Sequence, residues 1–268
     1  MFLEPNETPL DLKWRMFGIP VRVHPLFWLV AVGMGWNMVE LGIAYLLIWV
    51  ACVFVSILVH EMGHVVMAKL FGARGYIILY AFGGLACDLG QYLNRWKRIA
   101  IALAGPGAGF LLYGAVYGLD SLIDWRAQFA AASGKYLFFA IQDLEWINLA
   151  WGLMNLLPVW PLDGGHVSRD LWTWVLPRNG VRYSLIMSII VAALVAVNAL
   201  LDHFKGWHIP YIPSGGWYVG ILFAVLGINN IIQLQFESSR RKHSRWGGSD
   251  DDGDRMPWER DPDWWKKG

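Results

Sequence analysis

The sequence predicts an all-α polytopic membrane protein with about six transmembrane helices, on three observations. Of its 268 residues 56% are hydrophobic and only 16% charged, where a soluble domain of this size carries about 25% charged residues. Four long stretches contain no Asp, Glu, Lys or Arg, and a span of the ~30 Å hydrocarbon layer needs about 20 such residues. Lys and Arg also fall mostly in alternate connecting segments, the asymmetry expected of a polytopic chain.

Residues 1–24 carry Glu4, Glu7 and Asp11 ahead of a late apolar run with no small-residue cleavage site. They read as a cytoplasmic segment leading into a retained helix rather than a removed signal peptide. Pro25–Val39 is a short uncharged first span. Leu41–Val59 is the second and continues as an apolar helix towards Leu70; Ile99–Leu119 is the third. Tyr136–Leu157 is long enough for a fourth, although it carries Asp143 and Glu145. Tyr183–Leu201 and Gly216–Leu234 complete a six-span domain over residues 25–234. From 235 to 268 the composition turns to Ser, Gly, Asp, Arg and Trp, which buries too little apolar surface to offset ordering entropy. A disordered cytoplasmic tail is expected there.

Six spans put both termini on one side. With that side inward, the inner segments hold nineteen of the Lys and Arg residues, and the outer segments hold only Arg126, Lys135 and Lys205. Both termini are therefore expected in the cytoplasm. A net charge of +1 gives no basic face for nucleic acid. Cys52 and Cys87 are too few for a disulfide framework or a cysteine-only metal site. The DDDGD run lacks the spaced ligands and closing Glu of a calcium loop, and no repeat of 20–50 residues is evident.

The second hydrophobic helix ends in HEMGH. His60 and His64, four apart, share one helix face, so both imidazoles reach one ion while Glu61 stands beside it. Ionisable groups at membrane depth are costly unless they face partners or a cavity. A catalytic zinc usually takes three protein ligands plus water, so the chain must supply another. Asp163, in NLLPVWPLDGGH at the cytoplasmic end of the fourth span, lies at matching depth. His166 competes with it, as ligand or as a supporting donor. Within the fourth span Glu145, Asn148, Gly152 and Asn155 form one helical stripe, which should face protein or water rather than lipid. For Asn155 two readings stand, an interhelical hydrogen bond or a contact to a substrate carbonyl.

Together these residues resemble the site-2 protease family of intramembrane zinc metalloproteases. HEMGH is similar to the family's HExxH helix, and NLLPVWPLDGGH to its Asn-x-x-Pro-x-x-x-Leu-Asp-Gly motif. FGIPVRVHPLFW, before the first span, resembles the opening of the six-span, sporulation-type branch and suggests a prokaryotic cell membrane. The resemblance implies His60, His64 and Asp163 as ligands of one Zn2+, Glu61 as general base, and Asn155 as a substrate or oxyanion contact. It implies hydrolysis of a peptide bond in a single-span membrane protein, near the cytoplasmic side. It also makes YIILYAFGGLACDLG, Tyr76–Gly90, a membrane-associated β-hairpin between the second and third spans. Its edge would hold an unwound substrate, with Gly83 and Gly84 allowing close approach. AGPGAGF, Ala104–Phe110, resembles a family motif on the third helix but has Gly109 where Asn is usual; its small residues read as helix packing. Two other functions compete: a membrane zinc transporter, and a membrane scaffold that has lost its chemistry.

Overall fold

The computed structural model describes residues 5–81, 83–87, 93–123, 132–207, 209 and 216–246. Among them the fold is mostly helical. Helix α1 spans Pro25–Met34 and is followed by a 3-10 turn, Trp36–Glu40; α2 spans Ile43–Leu70, α3 Arg95–Asp120, α4 Ala132–Asn155, α5 Asp163–Val175, α6 Gly180–Lys205 and α7 Gly216–Trp246. Four of the described helices, α2, α3, α6 and α7, are long and apolar enough to cross a membrane, and α1 is a shorter apolar helix. The chain is an integral membrane protein. It forms two compact units, Met1–Gly180 and Val181–Gly268.

The expected hairpin is present, inside a larger sheet. Strands β1 (Leu12–Met16), β2 (Ile19–Val23), β3 (Tyr76–Tyr80) and β4 (Gly83–Cys87) lie in sequence order. β1 pairs antiparallel with β2, β2 parallel with β3, and β3 antiparallel with β4. The first hairpin falls in residues read from sequence only as a cytoplasmic segment. Its two-residue loop, Phe17–Gly18, has φ of 51° and 74°, the left-handed pair that lets a tight turn follow the strands' own twist. Asp88–Gly90 lie outside the described residues.

Period-two alternation turns Trp14, Met16, Val21, Val23, Ile77 and Leu79 to one side of the sheet. There they meet Phe27 of α1 and Cys52, Val53, Ile57 and Leu58 of α2 in a single apolar cluster. The sheet is thereby packed on the helix that carries HEMGH. α2 is 28 residues long, or about 42 Å at 1.5 Å per residue, and its motif begins about 26 Å from the helix start. The histidines thus lie near the far edge of a ~30 Å apolar layer.

Close approach of α2 and α3 depends on small residues. A Cβ on Gly63 would stand 2.3 Å from the Ala104 carbonyl oxygen, so AGPGAGF is the α3 side of this contact. In the second unit, a Cβ on Gly220 of α7 would meet the Leu200 side chain of α6 at 2.8 Å. The expected boundary of the tail shifts: α7 runs past residue 235 to Trp246. The segment from Gln235 contains no Gly or Pro before Gly247, and its Gln, Glu, Arg and Lys are good helix formers. Residues 247–268 lie outside the described residues.

Candidate metal centre

His60 and His64 project from the same face of α2 and are buried. Their Nε2 atoms are 3.2 Å apart. Asp163, first residue of α5, closes the triangle, with Oδ2 3.1 Å from His60 Nε2 and Oδ1 3.3 Å from His64 Nε2. One donor atom from each residue lies within 4.8 Å of the others. The chain thus brings together two residues from one helix and a third about a hundred positions away.

This donor set fits zinc. Two imidazole nitrogens and a carboxylate are a usual catalytic ligand set, with one position left open. Bonds of about 2.0–2.1 Å in a tetrahedron place neighbouring ligand atoms about 3.3 Å apart, close to the 3.2 Å between the two imidazole nitrogens and to the approach of one Asp163 oxygen to each of them. The tautomer fits as well. His64 Nδ1 lies 2.7 Å from the Ile101 carbonyl oxygen, which can only accept, so Nδ1 carries the proton and Nε2 offers its lone pair.

Helix α3 makes space for this ring. A Cβ on Gly105 would stand 2.1 Å from His64 Nε2. The small residues of AGPGAGF pointed to packing, and the packing partner at Gly105 is one of the three grouped donors. Sequence reading missed that role and the Ile101 carbonyl, since a backbone acceptor leaves no mark in residue type.

Glu61 is buried beside the histidines, under strand β4. A Cβ on Gly84 would meet its Cγ at 2.2 Å and its Oε1 at 2.6 Å, and the Ala86 amide donates a hydrogen bond to its carboxyl group. Gly84 therefore makes room for Glu61 itself. Gly83 faces Trp151 of α4, where a Cβ would make a tight 3.3 Å contact.

The polar stripe on α4 is divided. Asn148 donates to Ser56 Oγ of α2 at 2.9 Å and to the Leu144 carbonyl at 2.8 Å, an interhelical bond. Gly152 admits the Phe110 ring, which a Cβ would meet at 2.7 Å. Asn155 is buried at the end of α4 and its amide donates to the Trp151 carbonyl at 3.0 Å. His166 packs its ring on Trp160, centroids 4.2 Å apart, and is not one of the three grouped donors.

Comparison with known proteins agrees with this geometry. The sequence model of Peptidase family M50 matches residues 48–125 and 120–197, so the first segment carries His60, Glu61 and His64 and the second carries Asp163. A Synechocystis protein described as a candidate zinc metalloprotease is 31% identical over 185 residues, 65% of this chain and 46% of that one. Stage IV sporulation protein FB of Bacillus subtilis is 26% identical over 237 residues, 86% of this chain and 70% of that one. The chain thus spans about half the length of the first relative and 70% of the second. Among solved structures, the site-2 protease from Methanocaldococcus jannaschii matches 82% of this chain and 93% of that one, with a TM-score of 0.57 and 21% identity, a likeness of fold. Two matched segments that cover more than half the residues and hold the clustered donors between them lead to one conclusion: this chain belongs to Peptidase family M50.

Proposed function

We propose that this protein is an intramembrane zinc metalloendopeptidase that hydrolyses peptide bonds in or near the transmembrane segment of single-span membrane proteins. The carrying observation is the convergence of His60, His64 and Asp163 at the end of an apolar helix, with Glu61 beside them under a strand. In this reading His60, His64 and Asp163 hold the ion. Zinc in this site supplies Lewis acidity, the means by which a water becomes a nucleophile near neutral pH.

The remaining work falls to the chain. Glu61 takes the proton of the attacking water and passes it to the leaving amide nitrogen. Its burial under β4 keeps bulk water from competing for that proton. The Ala86 amide steadies the carboxyl group between the two transfers. Asn155 uses one amide hydrogen on the Trp151 carbonyl; its second is assigned to the substrate carbonyl oxygen, where charge develops. β4 ends the sheet, and a helix that unwinds beside it gains main-chain partners by strand addition. That pairing sets an extended peptide next to Glu61.

The excess of Lys and Arg in inner segments supports both termini and the active site on the cytoplasmic side, and the sporulation-type opening FGIPVRVHPLFW supports a prokaryotic cell membrane. The whole reading is tested in proteoliposomes holding a single-span substrate. The Glu61→Gln protein should retain zinc and lose at least about 100-fold in cleavage rate. Chelation should stop the wild-type protein, and added zinc should restore it. Undiminished cleavage by Glu61→Gln with metal in place refutes the proposal.

A further inference from the structure

Asp163 begins α5, a helix that gives the cluster only this one residue, so something must fix α5 against the helices that carry the histidines. The contact is made on α3. Arg98 of α3 donates through Nε to Asp170 Oδ2 at 3.1 Å and through Nη2 to Asp170 Oδ1, a two-pronged pair that fixes rotation as well as distance. Its Nη1 donates to the Leu93 carbonyl at 2.8 Å, which anchors the guanidinium on its own side before α5 is considered. Trp96 of α3 and Trp174 of α5 make an edge-to-face contact on the same seam, centroids 5.6 Å apart.

Spacing ties this pair to the donors. Arg98 precedes Ile101 by three residues, close to one turn, and the Ile101 carbonyl is the group that orients His64. Asp170 follows Asp163 by seven, two turns along one helix face. One short stretch of α3 therefore holds one ligand through a backbone carbonyl and the helix of another through a guanidinium fork.

We propose that the Arg98–Asp170 pair is a positioning clamp that sets the Asp163 carboxylate against His60 and His64. Neither residue touches the ion or the substrate. Without the fork, α5 keeps the Trp96–Trp174 contact but loses the bond that fixes its rotation against α3, and small displacements of its first residue open the cluster. Lys at position 98 restores the charge as a single point and not the fork.

This inference rests on the metal reading above, and its test separates the two. Zinc affinity of the purified full-length protein in detergent is measured by competition with a chromogenic chelator. Arg98→Ala and Asp170→Ala should each bind zinc about 5-fold more weakly, the upper scale of a part-exposed ion pair. Arg98→Lys should fall between these and wild type, and the double variant Arg98→Asp with Asp170→Arg should recover most of the loss. Wild-type affinity in both alanine variants overturns the clamp. So does a loss recovered neither by Arg98→Lys nor by the exchanged pair, which assigns the effect to general damage of α3. If wild type and His60→Ala take up zinc equally, the metal centre itself is misassigned.

Discussion

The ring of His64 on α2 donates its Nδ1 proton to the carbonyl of Ile101 on α3, across 2.7 Å. That bond makes α3 part of the metal centre although none of its side chains is a donor there. It aims Nε2 and fixes its tautomer. Because the same helix turn places Gly105 against the ring, position 105 is the sharpest probe of this support. Gly105→Ala puts a methyl where His64 Nε2 stands, 2.1 Å from the built Cβ. The ring must rotate away, and zinc content by elemental analysis should fall by at least about tenfold. Helix content by circular dichroism should hold, since Ala is the better helix former.

A second glycine separates metal binding from proton transfer. Gly84→Ala drives a methyl into Glu61 Cγ, 2.2 Å away, and the three atoms nearest to it all belong to Glu61. The expected protein carries a full complement of zinc and cleaves about 100–10,000-fold more slowly, the range for losing a general base. Gly83→Ala next door meets only the edge of Trp151 at 3.3 Å and should retain activity within a few fold. Equal defects at the two positions would show that β4 acts through its backbone and not through Glu61.

The metal centre was legible in sequence to the extent that its side chains act through their own chemistry. His60, Glu61 and His64 announce themselves because helical spacing alone puts two imidazoles on one face. Asp163 needed the ligand-count argument, and His166, whose ring packs on Trp160, is not one of the three grouped donors. Arg98, Gly105 and the Ile101 carbonyl were not legible. Their roles depend on which helices touch, and single-sequence hydropathy carries no pairing information. The first hairpin had a readable signal in the FG dipeptide between LKWRM and IPVRV. Its apolar alternation is only five residues per strand, too short to stand out in a hydropathy reading of membrane spans. The tail was placed too early because composition falls to polar before helix propensity does.

Asn148 tests whether the polar stripe of α4 is structural. Its amide joins Ser56 and the Leu144 carbonyl, and the residue is 2% exposed. Asn148→Ala leaves the Ser56 hydroxyl without this donor, and interhelical bonds of this kind contribute about 0.6 kcal/mol, at most about 1.7. Zinc affinity should be unchanged, while the denaturant midpoint in detergent shifts down by that modest amount. Ser56→Ala in the same background should add little, because the pair is already broken. A zinc defect in Asn148→Ala would move this residue from the scaffold into the site.

The amino-terminal arm gives a pH-dependent signature outside the membrane spans. Lys13 Nζ, 2.7 Å away, holds the Glu7 carboxyl below its ordinary 4.5. The Thr8 hydroxyl at 2.5 Å, helped by Arg22, does the same for Asp11 below its ordinary 3.8. Arg22 is 8% exposed and also donates to the Pro5 carbonyl at 2.8 Å, so the arm is fastened to β2 by charge. A carboxyl whose folded value is lowered stabilises the folded arm above its unfolded value, and that contribution disappears as pH falls through the folded one. Hydrogen exchange, corrected for its intrinsic pH dependence, should show residues 5–16 protected near neutrality and released below pH 3.8, ahead of β3. Asp11→Asn removes the charge at every pH, so its arm should already exchange faster near neutrality and lose most of the acid step. Protection that stays level through the acid range in wild type would mean that apolar packing by Trp14 and Met16, rather than these ion pairs, holds the arm in place.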